Sequence, residues 1–195
     1  KHAEAKGYKY VLIDEIASGI NEKREANTDL WVYDMLKDVG LDKKFSAQGS
    51  TIKEIDEALS TASKRGTGKV GFPEYVGVVK DFLIVIENKA DTAKHIDRDD
   101  NGLIKDDVKS VTDYAVNGAL FYGLHLSANT SYKKIIAIGI SGNEKNHNIS
   151  PIFIDERGGY RELKELETFI SFREDNITEY YEREILECKT DENLK

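Results

Sequence analysis

Two apolar, β-branched runs, Tyr75 to Val79 and Phe82 to Ile86, flank the polar pair Lys80-Asp81. Such runs around a two-residue polar break predict a β-hairpin, although the pair lacks the Asn-Gly that most favours a tight turn. Both runs are apolar on both faces, which places the hairpin inside a covered sheet. Upstream, Leu30, Trp31, Tyr33, Met35 and Leu36 recur at helical spacing in a pattern that begins at Thr28-Asp29 and ends near Gly40. Residues 50–63 predict a second helix, with Ser50 or Thr51 as cap, Glu54 in its first turn, and Ile52, Ile55 and Leu59 on one face. Downstream of the hairpin, a polar loop runs to Gly102 and a long helix is expected over residues 105–124. Two further strands are expected at 134–140 and 149–154, separated by the polar turn SGNEKNHN. Residues 161–189 read as a charged, amphipathic helical region, and residues 1–20 as a variable start with a short apolar segment at 10–13. The order α, β-hairpin, α, β, β, α predicts an α/β domain over residues 1–160, followed by a C-terminal helical extension or linker over 161–195.

A turn centred on Lys80-Asp81 sets Glu74 opposite Glu87, Val76 opposite Val85 and Val78 opposite Leu83, so apolar pairs support the same register. Lys89 lies two residues past Glu87 and shares its face. Two carboxylates and one ammonium are therefore expected together at the open end of a buried hairpin. Burying such charges costs several kcal/mol each unless something compensates them. A hard divalent cation would compensate the two glutamates, and Mg²⁺ typically takes one or two carboxylates plus phosphate oxygens. A structural Glu–Lys pair at a strand end is the competing reading. Asp81, at the turn and about 20 Å from Glu87, is excluded from the group.

Pro73-Glu74, the hydrophobic hairpin and then Glu87-Asn88-Lys89 resemble the PD-(D/E)XK nuclease motif, with Glu in place of the first Asp. More narrowly, Gly71 to His95, with its continuation Ala90-Asp91 and Lys94-His95, is similar to the N-terminal nuclease domain of type I restriction enzyme R subunits. Related domains begin some fused restriction–methylation proteins. The resemblance covers about 25 residues in recognisable sequence. It implies a restriction-endonuclease-like fold, a mixed central β-sheet flanked by helices. It also implies a metal-dependent DNA endonuclease domain of a restriction system, leaving a 5′-phosphate and a 3′-hydroxyl. Glu74, Glu87 and Lys89 would be catalytic. Glu74, Glu87 and the backbone carbonyl of Asn88 would hold one or two Mg²⁺ ions, with Mn²⁺ as a substitute. Family members commonly add an acid from the first helix, for which Glu25 is the best match and Glu22 the competitor. A further family motif, Gln-x-x-x-Tyr on the helix after the lysine, is half present: Tyr114 fits, but Ser110 stands at the glutamine position. A repair or junction-resolving nuclease with the same core, and a catalytically silent interaction module, remain open alternatives.

Charge qualifies this picture. Lys and Arg number 28 against 36 Asp and Glu, a net charge of −8. Non-specific DNA affinity comes mainly from clustered Lys and Arg, and here the clusters are small: Lys64-Arg65 with Lys69, and Lys133-Lys134. Double-stranded DNA is thus expected to be held with help from other domains or subunits, such as methylase or specificity components. The lone Cys188 fits a reducing, cytoplasmic setting, and no apolar run is long enough to span a bilayer. Asp97 to Ile104 imitates the start of a calcium-binding EF-hand loop but has Val108 where the bidentate Glu belongs, so it reads as a turn-rich loop. His2, His95, His125 and His147 show no metal spacing, and His95 reads as a solvated loop residue. No nucleophile elbow or Walker A loop is present.

Overall fold

The computed structural model describes residues 24–64 and 70–187. Glu22, the apolar segment 10–13, Arg65, Lys69 and Cys188 lie outside the described residues.

Among the described residues, one sheet holds six strands in chain order: β1 (Phe45–Ala47), β2 (Tyr75–Val79), β3 (Phe82–Lys89), β4 (Lys134–Asn143), β5 (Asn146–Ile154) and β6 (Tyr160–Glu162). Neighbours are antiparallel except β3 and β4, which run parallel. Parallel strands need a long crossover. Helices α3 (Val108–Asp113) and α4 (Ala115–Asn129) lie in it. Helix α1 covers residues 24–38, α2 is Lys53–Leu59, and α5 (Ile177–Tyr181) continues into a wider helical turn, Glu182–Glu187. This is a mixed α/β architecture, a mostly antiparallel sheet flanked by helices, consistent with a restriction-endonuclease-like fold.

The hairpin has the register its apolar pairs demand. Tyr75 faces Ile86, Val76 faces Val85, and Val78 faces Leu83. Asp81 sits at the turn and pairs with Lys134 at 2.8 Å. Side chains of β3 alternate between two apolar layers. Phe82, Ile84 and Ile86 pack with Val32 and Leu36 of α1 and with Phe169, Phe172, Ile177, Tyr180 and Ile185 from the C-terminal stretch. Leu83 and Val85 pack with Ile55 and Leu59 of α2 and Val116, Ala119 and Leu126 of α4. Each such side chain contributes about 1.5–3 kcal/mol on burial. A one-residue slip would exchange the faces of β3 and bury its charged end differently, so register is held from both sides.

Several sequence expectations are corrected. The three-residue strands β1 and β6 have no counterpart among the expected elements. Helix α1 is already running at residue 24, so Thr28-Asp29 lies inside it rather than at its start. Thr28 Oγ1 instead lies 2.9 Å from the Gly142 carbonyl oxygen, tying α1 to the end of β4. Helix α2 is shorter than expected and starts after Ile52, with no side-chain cap; Ser50 Oγ accepts from the Ile52 amide at 3.1 Å. The expected single helix over 105–124 is two helices, broken at Tyr114, whose backbone is extended (φ −119°, ψ 138°). Asp107 caps the first through the Lys109 and Ser110 amides. In the second, the Val116 amide donates to the His95 carbonyl at 2.9 Å. The strands β4 and β5 run further than expected because the polar residues 141–148 are mostly strand, turning only at Glu144-Lys145. Of the stretch read as helical over 161–189, the first residues are strand, and the helical parts among the described residues are a short 3-10 turn, Ile170–Phe172, and residues 177–187.

Candidate functional site

Strand β3 ends in Glu87, Asn88 and Lys89, and alternation splits them. Glu87 and Lys89 turn toward α4, whereas the Asn88 side chain turns toward α1 and donates to Asp29 Oδ1 at 3.0 Å. Glu74 immediately precedes β2, where continuation of the hairpin register sets it opposite Glu87. The two are close enough for the Glu87 charge to act on the Glu74 carboxyl. The structure thus gathers Glu74, Glu87 and Lys89 at one end of the sheet.

Two glycines make room for this group. Gly139 of β4 pairs with Glu87, and a Cβ there would meet the Val116 backbone at 2.5 Å. Its bare backbone lets the start of α4 lie directly on the sheet. Gly118, two residues on, is also tight: a Cβ would come within 3.0 Å of Glu87 Cγ, Lys64 Nζ and the Val111 carbonyl oxygen. Glu87 is only 3% exposed. One of its oxygens, Oε1, forms an ion pair with Lys64 and lies 3.5 Å from Lys89 Nζ. The other, Oε2, is buried and has no hydrogen-bond partner among the described residues, as is true of Asn88 Oδ1. Buried carboxylate oxygens are rarely left unpaired, so Oε2 is the atom at this site that most calls for a ligand.

Electrostatics express the crowding of acids. Burial, with the charges of Asp29 and Glu87, raises Glu74 from 4.5 to about 7, against the pull of Lys89 and Lys64. Burial also raises Asp29, opposed by its hydrogen bond from Asn88 and assisted by Glu25 and Glu87. Burial alone would lower Lys89, but Glu87, Glu25 and Glu74 outweigh it and hold its ammonium above the ordinary value. For Lys64 burial wins over Glu87, and its affinity for the proton falls. Oxygen donors available to a hard cation here are Glu87 Oε2 and the Glu74 carboxyl. Among the described residues no group of three or more His, Cys, Asp and Glu side chains is placed to share an ion.

Glu25 is exposed and stands with Lys89, Asp91 and Lys94 along an open groove beside the site. The first-helix acid that enters the cluster itself is Asp29, one turn further on, which sequence reasoning takes for a helix-start residue. The signal for it is its position four residues after Glu25, on the same helix face. Lys64 also escapes sequence reasoning as a site residue, since there it is only part of a small basic cluster. Tyr122 completes the surroundings: its ring lies 4.7 Å from Lys64 Nζ, and burial, together with Glu87 and Glu74, raises its hydroxyl pKa.

Other candidates resolve differently. His95 is buried rather than solvated, with Nε2 2.7 Å from Ser150 Oγ and Nδ1 2.9 Å from Ser141 Oγ, so both ring nitrogens are engaged. Ser110 is buried and lies 2.8 Å from Asp97 Oδ2, while Tyr114 is half-buried with Lys94 Nζ 4.8 Å from its ring centre. The EF-hand imitation is a turn: Asp99 Oδ1 accepts from the Asn101 and Leu103 amides at 2.9 Å, and Gly102 takes φ +82°.

No protein-family model matches this chain, and no solved structure matches it. The chain is 34% identical over 169 residues to the type II restriction enzyme and methyltransferase RM.BcgI of Heyndrickxia coagulans. That match spans 86% of this chain but only 26% of the relative, so the chain spans about a quarter of the length of the curated protein it matches. Among the described residues, no helix is long and apolar enough to cross a membrane.

Proposed function

We propose that this chain is the metal-dependent DNA endonuclease domain of a restriction system, of the PD-(D/E)XK type, acting on phosphodiester bonds of double-stranded DNA in the cytoplasm. The observation that carries the reading is the buried Oε2 of Glu87, which has no partner among the described residues, set beside Glu74 and Lys89 at the open end of the hairpin. A purely structural ion pair has no use for an unsatisfied carboxylate oxygen, whereas a cation site needs one. The likeness to a restriction enzyme fused to a methyltransferase supports assigning that centre to a restriction system.

Glu74 and Glu87, with the backbone carbonyl of Asn88, would hold Mg²⁺ or Mn²⁺. Two carboxylates suffice for Mg²⁺, which keeps water and phosphate oxygens in its remaining positions. When bound, the ion would polarise the scissile phosphate and lower the pKa of water. Lys89, held charged by its acidic neighbours, would orient the attacking water and stabilise charge building on the phosphate. Asp29 fixes the Asn88 side chain and so the strand end between the two catalytic residues. Glu25 stands at the groove mouth, where it adds to the field that keeps Lys89 charged. With a net charge of −8, the chain would rely on methylase or specificity components to grip DNA.

The test is paired. Glu87→Ala and Lys89→Ala should each abolish Mg²⁺-dependent cleavage while the protein remains folded. Saturating Mg²⁺ should stabilise the wild type, by about 2.7 kcal/mol at a hundred times the Kd, and leave Glu87→Ala unshifted. Equal Mg²⁺ shifts in both proteins would count against a metal site at Glu87. Because Lys64 pairs with Glu87, the Glu87→Ala protein should also be somewhat less stable without metal, despite losing repulsion with Glu74.

A further inference from the structure

We infer that Lys64 is a built-in stand-in for the metal: its ammonium sits on Glu87 Oε1, next to the oxygen left for the cation, and must withdraw before a divalent ion can bind. The inference rests on the metal reading above, and it gives a role to a residue outside the hairpin motif.

Lys64 comes from the segment between α2 and β2, far from Glu87 in sequence, yet its ammonium is paired to Oε1 with only 13% of its side chain exposed. Lys89 Nζ approaches that same oxygen at 3.5 Å. Two single positive charges therefore converge on one carboxylate oxygen, reproducing the double charge of a divalent ion. The other oxygen, Oε2, has no partner among the described residues. Lys64 already lies close against α4: a Cβ added at Gly118 would come within 3.0 Å of its Nζ. The two lysines differ in what holds them. Lys89 is anchored in β3, whereas Lys64 lies beyond the end of α2 on a flexible four-carbon stem. Tyr122 adds to the hold on Lys64 where it now stands, since its ring face lies 4.7 Å from Nζ and attracts a cation. Like charges exclude one another, so a divalent ion at Glu87 and Lys64 at its present position are alternative states. The apparent metal affinity is then the intrinsic affinity reduced by the fraction of molecules in which Lys64 has withdrawn.

Lys64→Met keeps the stem and removes the charge. With Mn²⁺ as probe, read by electron paramagnetic resonance of the free ion, its apparent Kd should fall by about tenfold or more relative to wild type. Glu87→Gln should abolish this binding in either background. Unchanged or weaker binding by Lys64→Met, with Glu87 still required, would sink this inference alone and make Lys64 a structural prop. Loss of Glu87-dependent binding in both proteins would overturn the metal reading and the inference together. A measurement on the unaltered protein guards against a variant that folds poorly. Acylation of Lys64, followed by mass spectrometry, should rise several-fold when Mn²⁺ is added. Labelling indifferent to Mn²⁺ would overturn the displacement.

Discussion

Glu74→Gln should stabilise the metal-free protein near pH 8 and leave it almost unchanged near pH 4.5. The Glu74 carboxyl has its proton affinity raised from 4.5 to about 7 by burial and by the charges of Asp29 and Glu87. Between those two values the folded protein binds a proton that the unfolded chain has released, so stability falls as pH rises through the window and levels off above it. At about 1.4 kcal/mol per pH unit the full penalty is roughly 3 kcal/mol. Partial exposure and local relaxation reduce this to about 1–2 kcal/mol. Glutamine has no such proton, so the gap between variant and wild type should open across the window. The comparison must be a difference, because His95 acts in the opposite sense. Burial lowers its proton affinity below 6.5, so its contribution is present above 6.5 and is lost as pH falls. That term is shared by both proteins and cancels. Asp29 has the same sign as Glu74, and its repulsion with Glu74 is already part of what raises the Glu74 carboxyl. Urea denaturation of both proteins in a chelator, at steps from pH 4.5 to 8, measures the difference. A gap constant to within about 0.5 kcal/mol would refute the placement of Glu74 in this cluster.

Two further outcomes are expected. Gly139→Ala should cost about 3 kcal/mol or more, because its Cβ would meet the Cα and N of Val116 at 2.5 Å and backbone cannot step aside; a melt within a few degrees of wild type would show that α4 does not lie on β4 this closely. The chain alone should bind duplex DNA with a Kd of about 10⁻⁴ M or weaker at physiological salt in Ca²⁺, as its charge of −8 implies, and submicromolar sequence-specific binding would favour a self-sufficient endonuclease.

What the sequence discloses about this molecule is local. The β2–β3 hairpin follows from two apolar runs and a two-residue turn, and its register from apolar pairs, so the convergence of Glu74, Glu87 and Lys89 is already implicit in the order of residues. What stays hidden depends on contacts between distant segments. Strands β1 and β6 are three residues each, too short to show alternation, and they exist because β2 and β5 offer them edges. The break at Tyr114 leaves no glycine or proline as a signal; the Asp107 cap and the His95 carbonyl favour two helices over one. The polar ends of β4 and β5 read as a loop, although their ladder continues through Asn143 and Asn146. Asp29 is obscured by starting α1 too late, and Lys64 by the assumption that a basic pair in a loop faces solvent.

The hidden residues change how the site's charge should be understood. Glu25, Asp29, Glu74 and Glu87 act on one another at one end of the sheet, against the ammonium groups of Lys64 and Lys89. Four carboxylates facing two lysines leave an excess of negative charge in a partly buried place, where water screens it poorly. Such an excess can be relieved by a proton or by a cation. The raised Glu74 is the first of these. A divalent ion at Glu87 Oε2 would be the second, and it would expel the proton from Glu74 as it bound. Proton and metal are then rivals for the same surplus, and metal affinity should climb with pH until Glu74 is fully ionised just above neutrality. On the nuclease reading, a chain acidic overall would be no obstacle to a phosphodiester-cleaving centre, because the local excess of acid would draw in the cation that such chemistry needs.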